Sequence, residues 1–569
     1  MRRPTLPGVV VGTVFWWFSL VPSLLPRSWA VQAAVSAVCI GIGYALGTLL
    51  GWFVRQFRPG RPPLTAPLTA AIGRRLPERT PVWAPVAVAV AVVVVIGCAM
   101  WVRWQNQQRP LVSMEPVAAV STVPMVLLTI VLTFVLVMIG RLVGGAVRRL
   151  DRWNRRHLPD ALAVPTTIIL VIVIGGFLLR DVVADTFVDW ADRTFSIADE
   201  GTTDGTVQPT EPTASGSPDS LVEWDDLGLQ GRDFVAGATS EEELREFASI
   251  VGADPDDVMP PIRAYAGIDS ASDLEERAQL VVDDLVRAGA FEREVLVVAT
   301  STGTGWIDPD ASRALELMYG GDTAIASMQY SFLPSWISFL VDLDRASSAG
   351  AELFAAVHDE WSTRPPDDRP RLIAFGLSLG SFGQTAAFTG QEADTSVANI
   401  VGQTDGALFV GSPYATELLR QLVDERDAGS PAWAPVIDDG ETVRFETRDP
   451  DQPRPGGSWD TPRVLLVQHP SDPVVHWYYD WVWRPPEWMD APRGYDVPAE
   501  ASWFPIVTGV QGVFDLMAGF SAPPGYGHDY RLDYPDSWAA VVPPAGWTEA
   551  DTTALEDYAQ QQRDAASDG

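Results

Sequence analysis

The chain has 569 residues, enough for two or three domains, and its net charge of −33 is divided sharply along its length. Residues 1–180 hold 18 arginines and four acids, the remainder holds 22 arginines and 69 acids, and lysine is absent. The acidic part would repel phosphates, which excludes nucleic acid as a partner; the two cysteines, Cys39 and Cys98, both lie in apolar runs, so the polar part has neither a disulfide nor a cysteine-based metal site.

In chain order, five apolar runs come first: Pro7–Pro26, Trp29–Phe53, Val82–Val102, Val117–Ile139 and Ala161–Leu179. A bilayer crossing needs about 20 such residues, so residues 1–190 are expected to form a transmembrane domain of about five spans. Pro7–Pro26 is not a cleavable leader on this reading, because further spans follow and no small-residue cleavage pattern ends it. Fourteen arginines precede the first run or lie between the second and third and between the fourth and fifth; the alternate connectors hold only Arg27, Arg103 and Arg109. By the positive-inside rule the arginine-rich side is cytoplasmic. Five crossings then put everything after Arg180 on the extracytoplasmic side of a cell membrane.

Residues 191–220, ending in "DEGTTDGTVQPTEPTASGSPDS", are Gly-, Pro-, Ser- and Thr-rich and read as a flexible linker. From 221 to 569 the pattern changes. "EEELREFASIVG" and "SDLEERAQLVVDDLVRAGA" space apolar residues at three and four, which predicts amphipathic helices. "REVLVVAT", "DTAIASMQY", "PRLIAFGLS", "GALFVGSP" and "PRVLLVQHPSD" predict strands, with "DRASSAGAELFAAVHDEW" and "SFGQTAAFTG" as helices among them. Alternating strands and helices make an α/β fold: a mostly parallel sheet with helices on both faces and its site at the carboxyl ends of the strands.

The motifs fall at those ends. "GLSLG" follows a strand and precedes a helix, the setting of a nucleophile elbow, so Ser378 is the candidate nucleophile and the Leu379 N–H an oxyanion donor. A serine hydroxyl needs a base. His528, in the glycine-rich loop "APPGYGHDYRLDY", fits the chain order Ser, acid, His. His358 reads as structural, and His469 and His476 as structural or substrate-lining. Asp472 ends a late strand and is the expected acid; the rival Asp405 precedes its strand. "VVATSTGTGW" offers Thr302, Gly303 and Thr304 for the second oxyanion donor, and it lacks the Gly-Lys-Ser/Thr ending of a phosphate loop. No His/Asp/Glu cluster has metal-ligand spacing, so neither a metal nor another cofactor is expected. Trp306, Trp336, His476 and Trp477 are candidate substrate-lining residues. The segments "HWYYDWVWRPPEWM" and "YSFLPSWISFL" could supply a lid or lipid-facing wall or simply pack a core.

Taken together, "SLLPRSW", "FEREVLVVATSTGTGWIDP", "QYSFLPSWISFLVD", "GLSLGS", "RFETRDPD", "QHPSDPVVHW", "APRGYDV", "WFPIVTGVQ" and "GYGHDY" make the chain resemble membrane-anchored bacterial alpha/beta-hydrolases of the actinobacterial type with an N-terminal multi-span region. The likeness extends over nearly the whole chain. It implies the alpha/beta-hydrolase fold and supports Ser378, Asp472 and His528 as nucleophile, acid and base. One departure is Leu377, where an acidic residue is expected. The function that follows is a membrane-anchored serine hydrolase acting on an ester or lipid-like substrate through an acyl-enzyme. Acyl transfer to envelope lipids or glycans by the same triad, or a non-catalytic envelope interaction role, are the alternatives.

Overall fold

The structure is a computed structural model that describes residues 4–57, 83–159 and 196–568, except 197, 198, 450, 451, 453 and 454, with a few positions between 166 and 173. The chain forms two compact units, Met1–Ala184 with Trp477–Pro523, and Asp185–His476 with Pro524–Gly569.

The first unit is built on helices α1 (Leu6–Ser19), α2 (Trp29–Phe57), α3 (Trp83–Gln108) and α4 (Thr122–His157). Three stretches, Trp29–Val54, Trp83–Val112 and Ala119–His157, are long and apolar enough to cross a membrane. Leu49, Val95 and Ile130 are exposed on them, at 60%, 70% and 60%, the reverse of a water-facing surface. Among the described residues there are therefore three such helices rather than five. The run Pro7–Pro26 is helical only to Ser19; its 14 residues reach about 21 Å at 1.5 Å per residue, short of the roughly 30 Å hydrocarbon layer. Pro22 and Pro26 bar its continuation. The run Ala161–Leu179 lies largely outside the described residues. Helices α1 and α2 pack closely through Gly8 and Gly12 on one and Gly43 and Gly47 on the other. A Cβ on Gly47 would sit 2.4 Å from the Pro7 carbonyl oxygen, the small-residue packing that suits helices in lipid.

The second unit holds seven strands: β1 (Ile262–Ala266), β2 (Val295–Thr300), β3 (Thr323–Met328), β4 (Arg371–Leu377), β5 (Gly406–Val410), β6 (Val443–Glu446) and β7 (Arg463–Val467). All pair in parallel, in the order β1-β3-β2-β4-β5-β7-β6. Period-two alternation splits the side chains between two cores. Leu296, Val298, Leu372, Ala374, Phe409 and Leu466 point to one face; Val295, Val297, Ile373, Phe375, Leu408 and Leu465 point to the other. Helices α5 (Leu274–Ala288) and α6 (Leu343–Ser362) cover the first face. Helices α7 (Pro309–Met318) and α8 (Tyr534–Val541) cover the second. Helix α9 (Leu379–Ala386) follows β4. This is the expected parallel α/β architecture, with two edge strands, β1 and β6, beyond the five predicted. Residues of the Gly/Pro-rich segment run beside β1: Ala214 bridges Arg263, and the Arg263 N–H donates to the Thr213 carbonyl at 3.2 Å.

Arg263 itself is a buried cation on an edge strand. Its Nε and second guanidinium nitrogen meet both oxygens of buried Glu316 at 2.7 and 2.9 Å. Removing one partner strands the other charge in the interior, which costs about 3–5 kcal/mol. Arg263→Met should therefore lower the thermal midpoint clearly, and adding Glu316→Leu to it should recover much of the loss, as read by thermal unfolding of the full chain.

Candidate active site

The register of the central strands aligns their ends. Leu377 pairs Val410, which pairs Val467, so the residues that follow share one edge. Ser378 turns out of β4 with φ 55° and ψ −123°, a sparsely populated conformation for a residue with a Cβ. Its N–H still donates to the Val410 carbonyl at 2.8 Å. The tight turn needs glycine around it: a Cβ on Gly380 would lie 2.1 Å from the Thr300 carbonyl oxygen, and one on Gly376 about as close to Gly380. Ser378 is 5% exposed and precedes the N-terminus of α9, where the Leu379 N–H lies.

Asp472 follows β7 with no solvent exposure. Its Oδ1 accepts the Val474 N–H at 2.8 Å, and its Oδ2 lies 2.7 Å from His528 Nδ1 and accepts the Tyr530 hydroxyl at 2.6 Å. A carboxylate opposite Nδ1 fixes the imidazole with that nitrogen protonated and Nε2 as the basic one. The His528 ring stands beside the end of β5, because a Cβ on Gly411 would meet its Cε1 at 2.8 Å. The peptide next to Gly411, that of Val410, receives the Ser378 N–H. Ser378, Asp472 and His528 are thus gathered at the ends of β4, β5 and β7.

Further bonds stitch the Asp472 loop to the His528 loop. The Gly527 N–H donates to Ser471 Oγ at 3.0 Å, and His469 Nδ1 meets the Gly527 carbonyl at 2.9 Å. The Tyr530 oxygen accepts the His469 N–H at 3.2 Å, and the two rings stack at 4.2 Å. Burial first, then the Asp472 charge, pushes the Tyr530 phenol well above its ordinary pKa, so it remains a donor. Tyr530 and the stitching by His469 had no sequence signal except proximity to the motifs. His469 also meets Asp533 Oδ2 at 3.2 Å through Nε2, and His358 lies on α6 against Phe354 and Trp361.

In the loop after β2 the Thr302 N–H is committed to the Trp306 carbonyl at 3.0 Å, and the Thr302 carbonyl takes the Gly305 N–H at 2.8 Å. Gly303 is pressed against the chain after β3, its missing Cβ only 2.4 Å from the Leu333 carbonyl oxygen. That leaves the amides of Gly303 and Thr304 as the loop's better oxyanion candidates. Trp306 packs against the second core. Trp336 lies in the helix Ser335–Val341, and its side chain is outside the described residues. His476 is buried, and that burial pushes its imidazole down to about 4, so it is neutral at physiological pH. Trp477 belongs to the first unit, against Gly512. No group of three or more potential metal ligands occurs among the described residues.

Asp308 ends this loop. It caps α7 through the Asp310 N–H at 2.9 Å and accepts the Tyr534 hydroxyl at 2.8 Å. Burial, with Asp310 second, raises its carboxyl to about 7.

A family model described as alpha/beta-hydrolase family matches residues 262–555, and one described as alpha/beta-hydrolase family N-terminus matches residues 20–238. No curated protein matches the chain. Among solved structures, an acetylxylan esterase aligns at 15% identity over 32% of this chain and 85% of its own, with a TM-score of 0.21, a likeness too slight to bear on activity.

Two outcomes follow for this region. The native state holds the Asp308 proton more tightly than the unfolded chain, whose carboxyl titrates near 4. The resulting stability is whole below about pH 4 and is lost as pH rises toward about 7. Asp308→Asn, which does not titrate, should lose less thermal stability than the parent between pH 5 and pH 8. Tyr530→Phe removes one donor from the buried Asp472 carboxylate and should cost about 1–3 kcal/mol of stability, as read by thermal unfolding of the full chain.

Proposed function

Because this chain belongs to the alpha/beta-hydrolase family, we propose that it is a membrane-anchored serine hydrolase of ester bonds, with Ser378, His528 and Asp472 as nucleophile, base and acid. The observation that carries this reading is a strained Ser378 at the end of β4 together with a His528, oriented by buried Asp472, beside the end of the neighbouring strand β5. A serine in an ordinary turn needs neither the strained backbone nor an oriented imidazole nearby.

In the proposed reaction Ser378 Oγ attacks the ester carbonyl carbon while its proton passes to His528 Nε2. The carbonyl oxygen becomes an oxyanion that accepts hydrogen bonds from the Leu379 N–H and from the amide N–H of Gly303 or Thr304. The C–O bond to the alcohol breaks, and the alcohol leaves with the proton returned by His528. Water, activated by the same imidazole, then attacks the acyl-enzyme and releases the acid. Asp472 keeps the ring oriented and stabilises it while it is charged. No cofactor enters this sequence.

The anchor reading rests on the three long apolar helices, and the side of the membrane on arginine. The arginines lie in the segment 55–79 and on the C-terminal turns of α4, residues 141–156, and on this reading both face the cytoplasm. Within the first unit, residues 477–523 pack on the opposite, arginine-poor ends: Leu24 clusters with Trp481 and Trp488, and Arg27 pairs with Asp515. That insertion interrupts the hydrolase sequence, which supports an extracytoplasmic catalytic unit.

A serine-reactive fluorophosphonate probe on the full-length protein tests the assignment. Labelling should vanish in Ser378→Ala and fall strongly in His528→Gln, with ester hydrolysis reduced on the order of a thousandfold or more in the serine variant. Undiminished labelling of Ser378→Ala would overturn it.

A further inference from the structure

Residues 477–523 leave the second unit just past Asp472 and return just before His528, yet they fold with the N-terminal helices. Helix α10 (Val507–Gly519) is their main element. Its polar side chains turn inward. Buried Asp515 Oδ1 accepts from Arg27 Nε at 3.0 Å, and Gln511 donates to the Val21 carbonyl at 2.8 Å. Arg27 is enclosed by Ser23, Gln32 and the Ser19 carbonyl, and its N–H reaches Gln105 at 3.2 Å. Gly509 and Gly512 bring α10 close to Val482, Trp477 and Trp481.

The outward face of α10 is apolar. Val513, Met517 and Phe520 recur at four and three residues, so they share one side of the helix, and they are exposed at 45%, 64% and 51%. Exposed Tyr479 and Trp483 belong to the same insertion, their rings 5.7 Å apart. Polar residues inside and apolar residues outside is the arrangement of a protein surrounded by lipid, where an intramembrane charge must face the bundle and be paired.

The level of the helix follows from its contacts. Helix α1 stops at Ser19, whose hydroxyl meets Ser36 Oγ at 3.1 Å, below the start of α2 at Trp29. The insertion packs both at that stop and past it, where Gln511 and Asp515 reach the Val21 carbonyl and Arg27. Phe504 stacks on Phe18 with centroids 3.9 Å apart, and Val507 packs with Val35 and Cys39. The insertion thus packs beside the chain that follows the end of α1, at the level of the first turns of α2.

We propose that residues 477–523 are a second membrane element of this protein. In it α10 lies in the leaflet on the arginine-poor side, with Val513, Met517 and Phe520 against acyl chains and Tyr479 and Trp483 at the headgroup level. The occupant of this face is lipid, because the face is continuous with α1 and α2, which α10 contacts, and because Val513, Met517 and Phe520 offer a partner no polar group. The proposal rests on the anchor reading and is independent of the triad.

The test uses the full-length protein in phosphatidylcholine nanodiscs, with Cys39→Ala and Cys98→Ala and an environment-sensitive fluorophore on one new cysteine. Met517→Cys is the probe site, Ile130→Cys on α4 the lipid reference and Leu221→Cys in the second unit the aqueous reference. The fluorophore at 517 should be quenched severalfold by lipids carrying a nitroxide near the headgroup end of the acyl chain and shielded from aqueous iodide, as at 130 and unlike 221. Quenching by iodide at 517 while 130 stays lipid-quenched overturns the proposal and leaves the anchor standing. Shielding from both quenchers means protein covers the face and also overturns it. Absence of lipid quenching at 130 overturns the anchor reading and the proposal together, and none of these outcomes bears on Ser378.

Discussion

The buried carboxylate of Asp472 is the constraint on which the site depends. Without solvent it must find its hydrogen-bond donors within the protein, since an ionised carboxylate left bare in the interior costs several kcal/mol. The donors come from two directions: the Val474 N–H from its own loop, and the His528 ring and Tyr530 hydroxyl from a loop far along the chain. Meeting that demand fixes the imidazole. Its orientation toward the strand ends is then a consequence of folding. The strained backbone at Ser378 is tolerated for the same reason, because the N–H bond to Val410 and the glycine-mediated contact of α9 with β2 hold it from both sides.

How much of this is legible in the sequence depends on where the information resides. The five central strands are runs of β-branched and aliphatic residues buried on both faces, and they read directly. Strand β1 contains Arg263, whose partner Glu316 lies on α7, and β6 has only four residues; an edge strand needs less apolar surface and leaves a fainter pattern. Ser378, Asp472 and His528 are readable because each follows a turn at a strand end or lies in a glycine-rich loop. Tyr530, His469 and Asp308 are not, because their roles exist only after distant loops have met. The loop after β2 is legible as a loop, but which of its N–H groups is already used depends on Thr302 donating to the Trp306 carbonyl, a bond that no spacing encodes. Apolar length likewise misled at Pro7–Pro26, where Pro22 and Pro26 weigh more than hydropathy.

The two units apply opposite rules to the same amino acids. In the second, paired apolar strands are interior and the acidic residues face out. In the first, valine and leucine cover the outside of α2–α4, while arginine, glutamine and serine are collected within, around Arg27. Glycine takes the place that large apolar residues have in the sheet, letting the backbones of α1 and α2 approach closely at Gly8, Gly43 and Gly47. The charge division between the halves follows from this. Few acids are compatible with the first environment, and Asp515, which does enter it, brings its own arginine.

That pairing gives the insertion its consequence for the site. A 47-residue excursion, Trp477–Pro523, separates the Asp472 loop from the His528 loop, and an open excursion of that length would let its ends drift. Loop closure of this size costs several kcal/mol, but that cost grows only slowly with length, so a few strong bonds at the base suffice to close it. The bonds from Ser471 to Gly527, His469 to Gly527 and Asp472 to both His528 and Tyr530 lie at that base. They fasten the two ends to each other, independently of what the excursion itself rests on. Asp472 and His528 can therefore keep their geometry while the segment between them folds with the N-terminal helices.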